Sequence, residues 1–166
     1  MRRSLRYLIL TGAAALLPTL PAVARGQYPS QRGQPKTPFG TADFAKLKWL
    51  QGDWAGSSTD GSPLYVRYKM TSDSTMDITY YRDSTFSQPT ANSRLYLSVG
   101  RVFHSFGPNR WGASHVDTDG AVFVPQVNVR STLQWDYVSP NEWRATQRSG
   151  VGGHEHVIVY DLKRVR

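Results

Sequence analysis

The chain has 166 residues, with 20 Lys+Arg against 12 Asp+Glu, four His and no Cys, for a formal net charge of +8. The length suits one domain, and the lack of Cys excludes a disulfide framework, a thiol nucleophile and any Cys-ligated zinc or iron–sulfur site. Nine Tyr, six Phe, five Trp, fourteen Gly and ten Pro, with only 19% charged residues, exclude a coiled coil and a disordered acidic tail and describe an aromatic-rich, turn-rich β domain.

The first segment reads as an address. Arg2, Arg3 and Arg6 precede an apolar stretch from Tyr7 to Leu20, and Ala22-Val23-Ala24 follows with small residues at its two ends. A basic start, a short apolar middle and an A-x-A end predict a secretory signal peptide over 1–24, cut after Ala24. The apolar stretch contains Gly12 and Pro18 and is short for a span of ~20 residues, so the mature chain is expected to carry no transmembrane anchor. A lipoprotein anchor needs a Cys that the chain lacks. The expected location is therefore secreted or periplasmic. Losing the three leader arginines lowers the net charge from +8 to +5. Residues 25–40, rich in Gln, Pro, Gly and Arg, read as a flexible linker, and 41–166 as the folded domain.

The domain opens with Thr41-Ala42-Asp43-Phe44, a helix start with Thr41 as N-cap; Phe44, Leu47, Trp49 and Leu50 form its apolar face and Gly52 ends it. From there the hydrophobic period becomes two. Leu64, Val66, Tyr68 and Met70 alternate along one strand, and Met76, Ile78 and Tyr80 along the next, with Ser72-Asp73-Ser74 turning between them. Asp83 to Ser93 carries no pattern and is expected to be a loop. Arg94 to Phe106 resumes as a strand, with Gly100 marking a bulge or bend. Trp111, Ala113 and His115 share one face after the Gly107-Pro108-Asn109 turn, and Asp117-Thr118-Asp119-Gly120 turns again. Ala121 to Val129, interrupted by Pro125, reads as an edge or bulged strand. Leu133, Trp135 and Tyr137, then Trp143, Ala145 and Gln147, then His154 to Lys163 complete the pattern. Serial hairpins predict an all-β, antiparallel up-and-down barrel of about nine or ten strands with a short N-terminal helix, because closure removes the edges of so long a meander. The alternative is a β-sandwich, which calls for longer crossing connections.

The run Trp49-Leu50-Gln51-Gly52-Asp53-Trp54-Ala55-Gly56 behind a short helix resembles the opening of the lipocalin-like (calycin-type) barrels, including a group of secreted bacterial proteins of unknown function. That resemblance implies a helix near one barrel end and a first strand entered at the glycine. The group's Asn-Pro-x-His-Asp-Phe-Pro run is absent; Phe123-Val124-Pro125-Gln126-Val127-Asn128 stands in its place. The same opening is similar to nitrobindin-like haem barrels, in which a last-strand histidine ligates iron; His156 is similarly placed here.

Within a barrel of this size, Tyr68, Tyr80, Trp111, His115, Trp135 and His156 are the candidate ligand-binding residues, since Tyr, Trp and His add a polar atom to apolar surface. They suit a small apolar or aromatic molecule. Two alternatives stand beside this one: a haem- or metal-binding barrel using His156, and an envelope protein whose barrel is filled and holds nothing. Barrel-closing core is the competing role for Trp49 and Trp54. No cofactor is required by the main reading, and haem is the cofactor of the alternative. No G-x-S-x-G elbow, paired carboxylates or phosphate loop is present, so no catalytic residue is assigned. The arginine–aromatic runs Tyr65-Val66-Arg67-Tyr68-Lys69 and Lys163-Arg164-Val165-Arg166 read as solvated outer surface, without nucleic acid as a partner.

Overall fold

In a computed structural model of the protein, residues 37–150 and 154–165 are described. The expected leader, most of the expected linker and the Val151-Gly152-Gly153 part of the last turn lie outside the described residues. A single helical turn α1 (Thr41–Ala45) runs into a 3-10 helix (Lys46–Leu50). Ten strands follow: β1 (Gly52–Ser58), β2 (Pro63–Ser72), β3 (Thr75–Tyr81), β4 (Pro89–Ser98), β5 (Arg101–Phe106), β6 (Asn109–Asp117), β7 (Gly120–Val127), β8 (Thr132–Ser139), β9 (Glu142–Ser149) and β10 (His156–Val165). Each strand pairs antiparallel with its neighbours in sequence, and β1 pairs with β10 from Asp53↔Val165 to Ser58↔Tyr160, so the barrel is closed. The sheet has no free edge and the β-sandwich alternative is set aside.

The short helix starts one residue earlier than its side chains suggest. The N-cap is Gly40, not Thr41: the Asp43 carboxylate accepts the Gly40 N–H at 2.9 Å, and the Gly40 carbonyl accepts the N–H groups of Asp43 and Phe44. An acidic side chain reaching back three residues satisfies an otherwise orphan donor, whatever the cap residue is. Phe39, ahead of Thr41, already packs against the core, and its N–H donates to the Gly100 carbonyl. Phe44, Leu47 and Leu50 are fully buried and plug one end of the barrel.

Three local differences from the sequence pattern decide the strand count and the facing of side chains. Val99-Gly100 is a two-residue hairpin turn, not a bend: both residues have positive φ (48° and 70°), and Val99 is 97% exposed. A β-branched residue rarely takes positive φ, so the turn lacks the usual Asn-Gly or Asp-Gly signature. It splits Arg94–Phe106 into β4 and β5. The patternless loop is confined to 82–88, and β4 begins at Pro89, so Ser93 lies in a strand. In β6 the register to β7 shifts between Ala113 and His115. This bulge turns His115 to the outer face, opposite Val116, which is in the core. The expectation that His115 shares a face with Trp111 and Ala113 is therefore wrong, because one extra residue reverses the alternation. A second irregularity, between Arg110 and Trp111, accommodates Pro125 opposite Trp111. The β7–β8 pairing ends at Phe123↔Leu133, so the missing Pro125 N–H removes no bond from that seam.

The two ends of the barrel differ. At the plugged end, the β2–β3, β4–β5, β6–β7 and β8–β9 connections all have two residues. At the other end, the β1–β2, β3–β4, β7–β8 and β9–β10 connections are longer, with only β5–β6 a two-residue turn. The outer wall carries ion pairs, Arg67–Asp53 at 2.6 Å, Arg94–Asp77 and Arg144–Asp161 at 2.7 Å and Lys163–Glu142 at 3.4 Å, where a wall facing lipid would be apolar. No helix among the described residues is long and apolar enough to cross a membrane.

Candidate functional site in the open half of the barrel

Alternation sends Trp54, Val66, Tyr68, Met76, Ile78, Leu95, Val102, Trp111, Phe123, Leu133, Trp135, Trp143 and Leu162 inward, and all are buried. Their aromatic rings form a continuous column of edge-to-face contacts. Trp49 meets Tyr137 and Trp143, Trp143 meets Trp54, Tyr68 and Trp135, and Trp135 meets Tyr68 and Phe123 at centroid separations of 4.9–6.3 Å. Such pairs add roughly 0.5–1.5 kcal/mol each beyond their buried area. The plugged half is thus filled and locked. The Trp54 indole N–H donates to the Leu50 carbonyl at 2.6 Å. The Arg164 guanidinium lies 4.1 Å from the Trp54 ring centroid and donates to the carbonyls of Trp49, Gln51 and Pro140. The sequence motif Trp49 to Gly56 is therefore the seam between plug and barrel, and both tryptophans have the structural role.

The column ends at a buried histidine. His104 is 4% exposed on β5, stacked on Trp111 at 5.3 Å and 21°, with Trp135 and Phe123 edge-on. Its Nε2 lies 3.2 Å from the Ser93 hydroxyl, and the Ser93 hydroxyl donates to the Tyr80 hydroxyl at 3.3 Å. Its Nδ1 is buried and has no hydrogen-bond partner among the described residues. Burial pulls the imidazole pKa down to about 4, so the ring is neutral near pH 7. Burial likewise raises the phenol pKa of Tyr80 and of Tyr68.

Beyond this layer the inward positions are still mostly apolar but no longer sealed. Leu64, Tyr80, Ala91, Ala145, Ile158 and Tyr160 point inward by their register and are each half-buried. The small inward residues Ser58, Ala91, Ser93 and Ala145 stand between the larger ones. On this side β7 and β8 part beyond Phe123↔Leu133, and the gap is bridged by the Trp111 indole, whose N–H donates to the Ser131 carbonyl at 2.8 Å. At this end the inward-facing positions are thus mostly apolar and partly exposed, next to the buried layer of Trp111, His104 and Trp135.

The six expected residues divide accordingly. Tyr68, Tyr80, Trp111 and Trp135 share the barrel interior, with Tyr68 lying deeper in the packed column. His115 lies outside it. His156 shares the inward register of Ile158, Tyr160 and Leu162, but it is the first residue of β10 and exposed at the rim, not deep as an inward histidine would be. His154, also exposed, precedes the strand. The four histidines do not converge. Tyr160, which shares its face of the last strand with Ile158 and Leu162, completes the lining together with His104 and Ser93, two positions the pattern did not place there. The available signal was the parity of His104 with Val102, legible once Val99-Gly100 is read as a turn. On the outer face, ligand atoms of His115, Asp117 and Asp119 lie within 4.8 Å of one another and are the described group able to share a cation; Lys46 Nζ is 3.8 Å from Asp117.

No protein-family model matches the chain, and no curated protein matches it. Among solved structures, the one described as "Structure of EF1p2_mFAP2b bound to DFHBI" is similar at 14% identity, covering 72% of this chain and 97% of that chain with a TM-score of 0.35. A likeness at that level assigns this chain neither a fold nor a ligand.

Proposed function

We propose that the protein is a secreted or periplasmic, lipocalin-like binding barrel that holds a small apolar or aromatic molecule in its open half. The observation that supports this most is the half-buried inward lining: Leu64, Tyr80, Ile158 and Tyr160 keep apolar surface partly in water at the mouth, while the plugged half is sealed. Partly wet apolar surface beside a few polar atoms is what a ligand covers at a gain of about 25 cal/mol per Å². The long loops at that end agree, since binding surfaces are carried by loops on a rigid scaffold. The Arg-rich start and Ala22-Val23-Ala24 support export, and the Trp49 to Gly56 run supports the lipocalin-like assignment.

The test is a titration of the purified protein with N-phenyl-1-naphthylamine, following quenching of tryptophan emission and the rise of dye emission. Saturable binding with a stoichiometry near one supports the reading. An absence of saturable change returns the barrel to the filled, structural alternative. A parallel addition of haemin addresses the cofactor: a Soret shift lost in His156→Ala replaces the small-ligand reading with the haem one.

A further inference from the structure

Resting on that reading, we propose that the open half of the barrel selects uncharged ligands, with the Tyr80–Ser93–His104 chain as its hydrogen-bonding wall, and rejects anions of the same shape.

The argument starts from which charges face inward. Charged side chains of the strands point to the outer wall, where Arg67, Arg94, Arg144 and Lys163 meet Asp53, Asp77, Asp161 and Glu142. Arg164 is the inward-register cation among the described strand residues. It lies at the plugged end, committed to Trp54 and three backbone carbonyls. The inward positions of the described strand residues in the open half therefore offer no guanidinium or ammonium to a carboxylate, sulfonate or phosphate; Arg82 and Arg130 are exposed in the loops at that end. The one inward group there that could become a buried cation is His104, and its surroundings are three aromatic rings and a serine hydroxyl, with no carboxylate to stabilise an imidazolium. An anion brought into this place loses its water and meets no guanidinium or ammonium among the described inward residues.

What the wall does offer is neutral polar atoms. With the Ser93 hydroxyl donating to Tyr80, Nε2–H donates to Ser93 and Nδ1 is left as a bare acceptor. Buried polar atoms of native proteins are nearly always paired; His104 Nδ1, like the indole Nε1 atoms of Trp49 and Trp143 in the packed half, has no partner among the described residues. A neutral ligand carrying one N–H, O–H or carbonyl beside a ring suits a wall of uncharged hydroxyl and imidazole groups next to aromatic rings.

The experiment compares two probes with one skeleton: N-phenyl-1-naphthylamine, uncharged, and 1-anilinonaphthalene-8-sulfonate, its anion. Both are titrated into the full protein at neutral pH, with dye emission as readout. The expected result is that the uncharged probe binds about tenfold or more tightly, and that Ala91→Lys, which puts a cation at the half-buried inward position opposite Tyr80, narrows or reverses that ratio. Ser93→Ala should reduce the affinity of the uncharged probe severalfold. Equal or tighter binding of the sulfonate to the unsubstituted protein overturns the charge selection and leaves the binding-barrel reading standing. Binding of neither probe overturns both. If Ala91→Lys does not fold, the ratio of the two probes on the unsubstituted protein decides alone.

Discussion

The buried histidine makes an acid-sensitivity prediction that can be worked through in magnitude. In the unfolded chain His104 takes up a proton near its ordinary value of 6.5, whereas in the folded barrel it does so near 4, because its ring is desolvated. Between those values the unfolded state binds more protons, so stability falls as pH falls from about 6.5 to about 4 and the contribution is constant outside that window. The gap corresponds to about 3 kcal/mol, a large share of the 5–15 kcal/mol that holds a typical domain together. The groups packed on the ring are Trp111, Trp135, Phe123 and Ser93, with Tyr80 behind Ser93, and none of them titrates in the window. The carboxylates of Asp43, Asp60, Asp83 and Asp117 are held below their ordinary value by hydrogen bonds, and for Asp43 and Asp117 also by Lys46, so their losses begin mainly at the acid end. The perturbation is His104→Phe, which keeps a ring on Trp111 and removes the titration. Urea unfolding followed by tryptophan emission at several pH values between 7.5 and 4 should show wild type losing about 3 kcal/mol relative to the variant. Parallel stability–pH curves would refute the assignment of a buried, neutral His104.

Three further outcomes follow from the plug and the closing seam. Trp54→Ala should cost about 3–5 kcal/mol in chemical denaturation, since it empties a fully buried site and removes the N–H donor to Leu50; an unchanged midpoint would contradict its place in the column. Gly56→Ala should destabilise by about 2–3 kcal/mol, because a Cβ there meets the Asp161 backbone carbonyl on β10, which cannot swing away as a side chain can; a neutral effect on thermal unfolding would contradict the close β1–β10 approach. Arg164→Ala should speed amide exchange in residues 46–50 more than elsewhere, because it frees the carbonyls of Trp49 and Gln51; uniform exchange would mean that the plug does not depend on that guanidinium.

The fold class was legible in the sequence because it rests on period and punctuation. Alternation in Leu64 to Met70, Met76 to Tyr80 and Leu133 to Tyr137 survives any tertiary context, and short polar turns between such runs leave few topologies besides a closed meander. That Trp54 belongs to the core was also legible, from size and apolarity alone. The tertiary structure decided what alternation cannot carry across an irregularity. A Val-Gly turn without the usual turn residues made ten strands, and a one-residue bulge before His115 moved that histidine from the inside to the outside. Depth was decided there as well. His156 keeps the inward register but stands at the rim, while His104, unremarkable in its strand, becomes the buried polar atom at the head of an aromatic column. A strand pattern records which side a residue faces; how far it lies from water, and which rings from three other strands surround it, depends on closure of the sheet, which no local run of residues contains.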